Sequence, residues 1–291
     1  MTQIIVLGDL NLDIHAHLPG SLAPGDETRD AVTVRPGGSA GTFARTAAQH
    51  GAFVTFIGAV GNDLVGDLLE TSLTQAGVTP RLARTSLPSG TVLAIQMEDD
   101  RSMVCARGAN DGLTPDWVSE TLPQGGDHLH VSGYALLSDA QREAALRAYE
   151  LAAQYGMTRS LDPPPASLIR SFGVHRYLDL LPDGLWLFPN QSEGQLLSGM
   201  TTSEDVIESL CHRFPVGVHT LGARGARAWS GTERNFQKSQ ALHSVDTTGA
   251  GDVFAATFIA QFLQTAHLAQ ANADGCAAAF SMLCDRLATA A

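Results

Sequence analysis

The sequence predicts an α/β fold with a mostly parallel central sheet, helices on both faces and a small added β layer. Three observations carry that expectation. Short apolar runs alternate with stretches of helical spacing along most of the 291 residues, the pattern of strand–helix–strand units. The alternation breaks at 13–36 and again at 89–108, where period-two patterning replaces it. Several predicted strands also end in Gly, Asp or Asn, which gathers polar groups at the sheet edge where open α/β sheets bind ligands.

Taken in order, IIVLGD (4–9) is the first strand, an apolar run that stops at Gly-Asp. DIHAHLP (13–19) and DETRDAVTVRP (26–36) make the first insertion, and a helix follows over 39–50. FVTFIGAVG (53–61) is the next strand, with a helix over 64–76 behind it. SGTVLAIQMEDDRSMVCARG (89–108) is the second insertion, with a hairpin turn at Asp99 and Asp100. The α/β alternation then resumes with strands HLHVSG (128–133), TRSLDP (158–163), LWLFPN (185–190) and VGVHTLG (216–222). Helices are expected over 138–155, 203–213, 250–264 and 268–288, and a short strand-like segment at Leu242 to Val245 precedes the last two. Because each insertion is followed by a return to the α/β pattern, the two together read as a lid over the sheet edge of a single domain, 1–291.

Bulk composition sets limits. With 44% hydrophobic residues the chain can bury a large core. No apolar run approaches 18 residues, and MTQIIVLGDLNLD lacks the basic start and long apolar stretch of a signal peptide, so a cytoplasmic protein is expected. A net charge of −12 argues against a general binder of nucleic acid or anionic membrane, which needs basic surface to displace counterions. The four cysteines have no CxxC spacing and read as reduced packing residues. His128 and His130 would share one face of a strand, with no third ligand nearby to make a metal site.

The most informative segment is VDTTGAGDVF (245–254), where a Gly-Ala-Gly-Asp turn opens an apolar helix. Gly249, Ala250 and Gly251 let consecutive N–H groups point into one concavity, and the helix N-terminus adds partial positive charge. An anion such as a phosphate fits there. Asp252, in the first helical turn, would be placed to accept the proton of an attacking alcohol while the cradle neutralises the transferred group. The alternative is a capped helix start, with Thr247 or Thr248 as N-cap and the glycines serving close packing. Neither a Walker A loop nor a dinucleotide-binding GxGxxG occurs, so the GAGD turn is the phosphate cradle the chain offers.

GDLNLD at the N-terminus, PGGSAGTFARTAAQHGAFVTFIGAVGNDLVGDLL after it and DTTGAGD near residue 250 together resemble the ribokinase-like (PfkB) carbohydrate kinase family, over nearly the whole chain. The resemblance implies a three-layer αβα sandwich with a β-sheet lid. It makes Asp252 the catalytic base and the amides from Thr248 to Asp252 the anion hole. Asp13, Gly37 and Gly38 match positions that hold sugar hydroxyls. Asn190 and Glu193 match an Asn-x-x-Glu element that organises Mg2+ and its waters beside the phosphates of ATP. Thr220, Gly222 and Gly225 match the strand and loop next to the nucleotide, and Asp246 and Thr248 match positions near a K+ site found in some members.

Each of these has a plain alternative: Asp13 as a surface turn residue, Gly37 and Gly38 as a loop before a helix, Glu193 as part of a capped helix start after Asn190. The chain also departs from the family pattern. Thr42 stands where many relatives carry a sugar-contacting Asn and makes fewer hydrogen bonds. Asp162-Pro163-Pro164-Pro165-Ala166 replaces the Asp-x-Asn-x-Arg of fructokinase-like and 2-keto-3-deoxygluconate-kinase-like members. RGAND (107–111) is similar to the Gly-Ala-Asn stretch of ribokinases, with Arg107 either gripping a sugar carboxylate or solvated. Cys276 falls where relatives place Asn or His near the adenine.

The expected function is thus an ATP-dependent sugar kinase. A nucleoside or sugar-acid kinase of the same family is the near alternative, and a non-catalytic sugar or nucleotide sensor is the alternative from another class. Exposed lid strands invite pairing with a second copy, so a homodimer through the lid is expected.

Overall fold

Nine strands form the central sheet and four more form a second, smaller one, in a computed structural model that describes residues 2–18, 25, 27, 32–97, 100–242 and 246–290. The chain begins with β1 (Gln3–Leu7), passes into the small sheet through β2 (Asn11–Leu18) and β3 (Val32–Gly37), and returns through α1 (Ser39–Gln49). Next come β4 (Phe53–Gly61), α2 (Leu64–Gln75) and β5 (Val78–Thr85), then β6 (Gly90–Met97) and β7 (Asp100–Ala106), which complete the small sheet. The middle of the chain holds α3 (Pro115–Thr121), β8 (His128–Ser132), α4 (Asp139–Gln154) and β9 (Thr158–Asp162), followed by α5 (Ala166–Phe172) and α6 (Val174–Asp179). After β10 (Trp186–Leu187) come α7 (Gln191–Ser198), α8 (Ser203–Leu210) and β11 (Val216–Thr220), and then the hairpin β12 (Ala226–Ser230) and β13 (Glu233–Gln237). Two long helices close the chain, α9 (Ala250–Thr265) and α10 (Leu268–Ala290).

The large sheet has the order β13-β12-β11-β10-β9-β8-β1-β4-β5 and is parallel from β11 through β5, with an antiparallel hairpin at the β13 end. Alternation along β1 shows why its strands read as unbroken apolar runs. Ile4 and Val6 enter one core with Phe43, Phe56 and Phe258, whereas Ile5 and Leu7 enter the other with Tyr149, Phe214 and Trp229. Both faces are covered, so no position can be polar without a partner. The buried His128 and His130 obey this rule: both rings bond Ser160 Oγ, at 2.7 and 2.8 Å, and His130 stacks on Phe43 at 3.7 Å. Burial pushes the His128 pKa down to about 3, so the imidazole is neutral.

The small sheet runs β3-β2-β6-β7, with β2 and β6 parallel and the two outer pairs antiparallel. Its register puts Asp13, Arg35 and Val92 on one face and Ile14, Val34 and Leu93 on the other. Both expected insertions therefore form one layer. Asp99 of the expected hairpin turn lies outside the described residues, as do most of 19–31 and residues 243–245 of the strand-like segment.

Several elements differ from expectation. β10 is only two residues long, because Phe188-Pro189 ends the ladder and leaves a single bridge between Asn190 and Thr220. The polar, Pro-containing β5 is a strand because it lies at the sheet edge, where Pro80 and exposed arginines are tolerated. The β12–β13 hairpin turns at Gly231, with φ of 55°, and Thr232. Of the cysteines, Cys276 is buried but Cys105 is exposed, so packing does not account for all four; none is disulfide-bonded.

The VGND stretch ties the large sheet to the lid. Asp63 caps α2 by accepting from Gly66 N at 2.7 Å, and it also accepts from Ser89 N at 2.8 Å and Ser89 Oγ at 2.7 Å, just before β6. These bonds hold its carboxyl below the usual carboxylate range. Replacing Asp63 with Ala is expected to lower unfolding free energy by about 1–2 kcal/mol. Urea unfolding checks this through the midpoint, and an unshifted midpoint would show that the cap contributes nothing.

Candidate active site

The C-terminal ends of four neighbouring parallel strands present Ser132, Asp162, Asn190 and Thr220, at the sheet edge where polar groups are expected to gather. Two helix starts, those of α1 and α9, meet over this edge. Helix α9 begins at Gly249 in the left-handed conformation, φ 79° and ψ 0°, which a side chain would strain. No side chain caps it. The capped-helix alternative fails here because the Thr248 hydroxyl bonds Asp246 Oδ1 instead.

Asp252 stands in the first turn of α9, and its Oδ1 accepts from Ser39 Oγ at 2.7 Å, across the gap between the two helices. Ser39 in turn accepts from Ser132 Oγ at 3.1 Å, so β8, α1 and α9 are joined by one hydrogen-bond chain. Burial pushes the Asp252 pKa up to about 7, opposed by the Ser39 bond, by the Arg45 charge and by a hydrogen bond with Asp162. Asp162 lies higher still, from burial and then from the negative charges of Asp252 and Glu193. Of this pair the proton resides on Asp162, leaving Asp252 as the carboxylate that can take up a proton near neutral pH.

The lid supplies Asp13 and the Gly37-Gly38 corner. A Cβ on Gly37 would overlap the Asp13 carboxylate, and one on Gly38 would overlap the Asp9 carbonyl, so both glycines make room rather than merely loop. Asp13 is not a surface turn residue: burial pushes its pKa up to about 6, against the pull of Arg35, Arg45 and Arg286. Its Oδ1 is buried and has no hydrogen-bond partner among the described residues. Thr42 accepts from Arg45 Nη2 at 3.4 Å, and its methyl lies 3.6 Å from where a Gly249 Cβ would stand. The lid is latched to the turn by Arg35, whose Nη2 lies 3.2 Å from Asp246 Oδ2, with His15 Nδ1 at 3.7 Å.

On the other side of Asp162, Asn190 and Glu193 form a capping box at the start of α7. Asn190 N donates to Glu193 Oε2 at 2.9 Å and Glu193 N donates to Asn190 Oδ1 at 3.1 Å. The capping alternative is therefore present in the structure. It does not account for the charge: Glu193 is 4% exposed, and burial pushes its pKa up to about 8. Burial thus raises three carboxyls at the strand ends, Asp162, Asp252 and Glu193, by disfavouring their charged forms, the environment that a divalent cation relieves. Among the described residues no group of three or more His, Cys, Asp or Glu is arranged to hold a metal ion by itself.

Thr220 N donates to Pro189 O at 3.0 Å, and the turn after it closes through Leu221 N to Gly225 O at 2.8 Å. Gly222 and Gly225 have φ of 58° and 112°, which places this tight turn beside the start of α7. Arg107 is half-buried and makes ion pairs within the chain. Its Nη1 donates to Asp9 at 2.9 Å, its Nε to Asp111 at 2.8 Å and its Nη2 to Gln141 at 2.5 Å, making it a brace between the segment after β1 and α4. Cys276 is buried in the core on α10.

Sequence reasoning passes over Ser39, Ser132, Asp162, Arg45, Arg35 and Arg286. Asp162 carries a signal that could have found it, since a carboxylate ending an apolar strand repeats the pattern of Asp9. The arginines carry none, because only tertiary structure brings 35, 45 and 286 to one place.

Comparison with known proteins bears on the fold and the family. The ribokinase of Haemophilus influenzae is 27% identical over 290 residues, covering 95% of this chain and 90% of its own. The crystal structure of adenosine kinase from Sinorhizobium meliloti superposes with a TM-score of 0.86 at 22% identity, over 99% of this chain and 98% of that one. An E. coli chain solved in complex with ATP and Mg2+ gives 0.78 at 24% identity, over 95% of this chain and 92% of its own. These two structures share the fold. The profile that describes the pfkB family of carbohydrate kinases matches residues 1–290, and with the GAGD turn at the start of α9 it establishes that this chain belongs to that family.

Proposed function

We propose that this phosphotransferase is an ATP-dependent sugar kinase in which Asp252 is the general base and the turn from Thr248 to Asp252 is the anion hole. The observation that carries this reading is Asp252 itself, a carboxylate raised to about 7 by burial, held by Ser39 at an uncapped helix start. Asp13 and the Gly37–Gly38 corner take the acceptor, since the unpartnered Asp13 Oδ1 calls for a hydroxyl donor. Asp252 accepts the acceptor's proton as its oxygen bonds to the γ-phosphorus, the bond from that phosphorus to the β–γ bridging oxygen breaks, and ADP leaves. The amides at the start of α9 stabilise the transferring group. Asn190 and Glu193, with Asp162 beside them, would hold Mg2+ mostly through its waters, and Mg2+ would neutralise phosphate charge. Thr220, Gly222 and Gly225 flank the nucleotide. The E. coli relative solved with ATP and Mg2+ supports this choice of cofactors.

The lid carries the partner expectation. Its outer face shows Val34 at 57% and Val104 at 65% exposure, and a second copy of this chain covering that face is the homodimer we propose. Among the described residues no helix is long and apolar enough to cross a membrane.

Asp252→Asn is expected to lower kcat by about 10²–10⁴-fold while leaving KM for ATP and sugar within a small factor. Unchanged turnover would remove Asp252 as base. Because a base must be ionised and burial raises this one, kcat should rise with pH up to about 7 and level off above it. A profile already flat at pH 5 would contradict the raised carboxyl. Assaying ADP release over a panel of sugars, sugar acids and nucleosides identifies the acceptor, and no release with any of them would favour a sensor.

A further inference from the structure

Arg286 lies near the C-terminal end of α10, about forty residues beyond the GAGD turn, yet its head group sits beneath that turn. Its Nη1 donates to two main-chain carbonyls, Asp246 O at 2.8 Å and Thr248 O at 2.6 Å, and lies 3.6 Å from Asp246 Oδ2. Its Nη2 lies 3.9 Å from the position a Cβ on Gly249 would take. Two carbonyl oxygens and a carboxylate converging on one point form the hard-oxygen set that a cation takes. Asp246 and Thr248 are also the two residues whose positions resemble a K+ site. Here their carbonyl oxygens are turned to an arginine instead, so they do not fit a monovalent ion while Arg286 is in place.

We infer that the Arg286 guanidinium is a built-in replacement for the monovalent cation, a positioning residue that orders the anion hole and makes the enzyme independent of K+. Peptide geometry supplies the means. In a planar trans peptide the carbonyl and the following N–H point in opposite directions. Drawing the Thr248 carbonyl towards Arg286 aims the Gly249 N–H the other way, and drawing the Asp246 carbonyl does the same for the N–H of Thr247. The guanidinium also sets a permanent positive charge beneath a turn that receives a polyanion, and unlike a free ion it is not lost by dilution. Asp246 connects the charge to the lid: its carboxylate meets Arg286 from α10 together with Arg35 and His15 from β3 and β2. These three partners are cationic or, for His15, protonatable, while the Asp13 carboxyl of β2 lies near enough for the Asp246 charge to raise it.

The catalytic half of this inference rests on the turn being the anion hole, and the binding half does not, so the test reads both. Enzyme is dialysed into tetramethylammonium chloride, and K+, Na+ or Cs+ is exchanged in at constant ionic strength, roughly 0.1 M. The wild type should keep its rate of ADP release within about twofold in every salt, with a melting temperature that does not respond to K+. Arg286→Ala should lose about tenfold or more in kcat, less than the loss of a direct oxyanion donor, and recover part of it with K+ or free guanidinium. Its melting temperature should rise with K+ relative to tetramethylammonium. A wild type activated or thermally stabilised by K+ overturns the inference, as does an Arg286→Ala enzyme as fast as wild type without added cation. If the variant does not fold, the wild-type salt series still decides the matter. If no acceptor is turned over, the melting series still reads cation binding, which separates failure of this inference from failure of the sugar-kinase reading.

Discussion

The organising constraint of the site is the cost of keeping several carboxyls away from water at one sheet edge. Asp162, Asp252, Glu193 and Asp13 are all raised by burial, and among the described residues none of them is in a salt bridge. Isolated buried carboxylates cost several kcal/mol each, so a fold tolerates them only where something else returns that cost. Hydrogen-bond donors return part of it. Ser39 serves Asp252, Asn190 serves Glu193, and Arg45 and Arg35 offset Asp13 from a distance. The remainder is stored as protons held near or above neutral pH, the condition that suits a site receiving a cation-bound polyanion and an alcohol.

The rest of the structure serves to hold that edge in place. Parallel strands covered on both faces bring their C-terminal ends to a common line, and α1 and α9 are packed so that Ser39 reaches Asp252. The lid is joined to the same line at both of its ends. Asp63 and Ser89 anchor the entry to β6, and Arg35 meets Asp246 across from β3. The small sheet and the GAGD turn are therefore joined through Asp246, one residue that contacts β3, α10 and its own turn.

Much of this was legible in the residues. Strand β1 and most of β4 are apolar runs because both faces are buried, and that is a local signal. The GAGD turn and the capping box at Asn190 are local as well, so both the placement of Asp252 and the plain role of Glu193 could be read from spacing. What escaped was set by distant partners. β5 is a strand only because an edge tolerates Pro80, and β10 stops early because Phe188-Pro189 leaves the ladder. Arg107 read as either gripping a sugar carboxylate or solvated, because nothing in RGAND shows that Asp9 and Gln141 will meet it. The cationic group around Asp13 and Asp246 comes from β2, β3, α1 and α10, and no window of sequence contains it.

The most direct test of the central claim is a crystal structure of the enzyme with a non-hydrolysable ATP analogue, Mg2+ and the acceptor identified by the ADP-release panel. The account predicts the terminal phosphate against the amides of residues 249–252 and the acceptor hydroxyl within hydrogen-bond reach of Asp252, about 2.6–3.2 Å. Phosphates bound elsewhere, with Asp252 still closed onto Ser39 and Asp162 and remote from any acceptor, would contradict it.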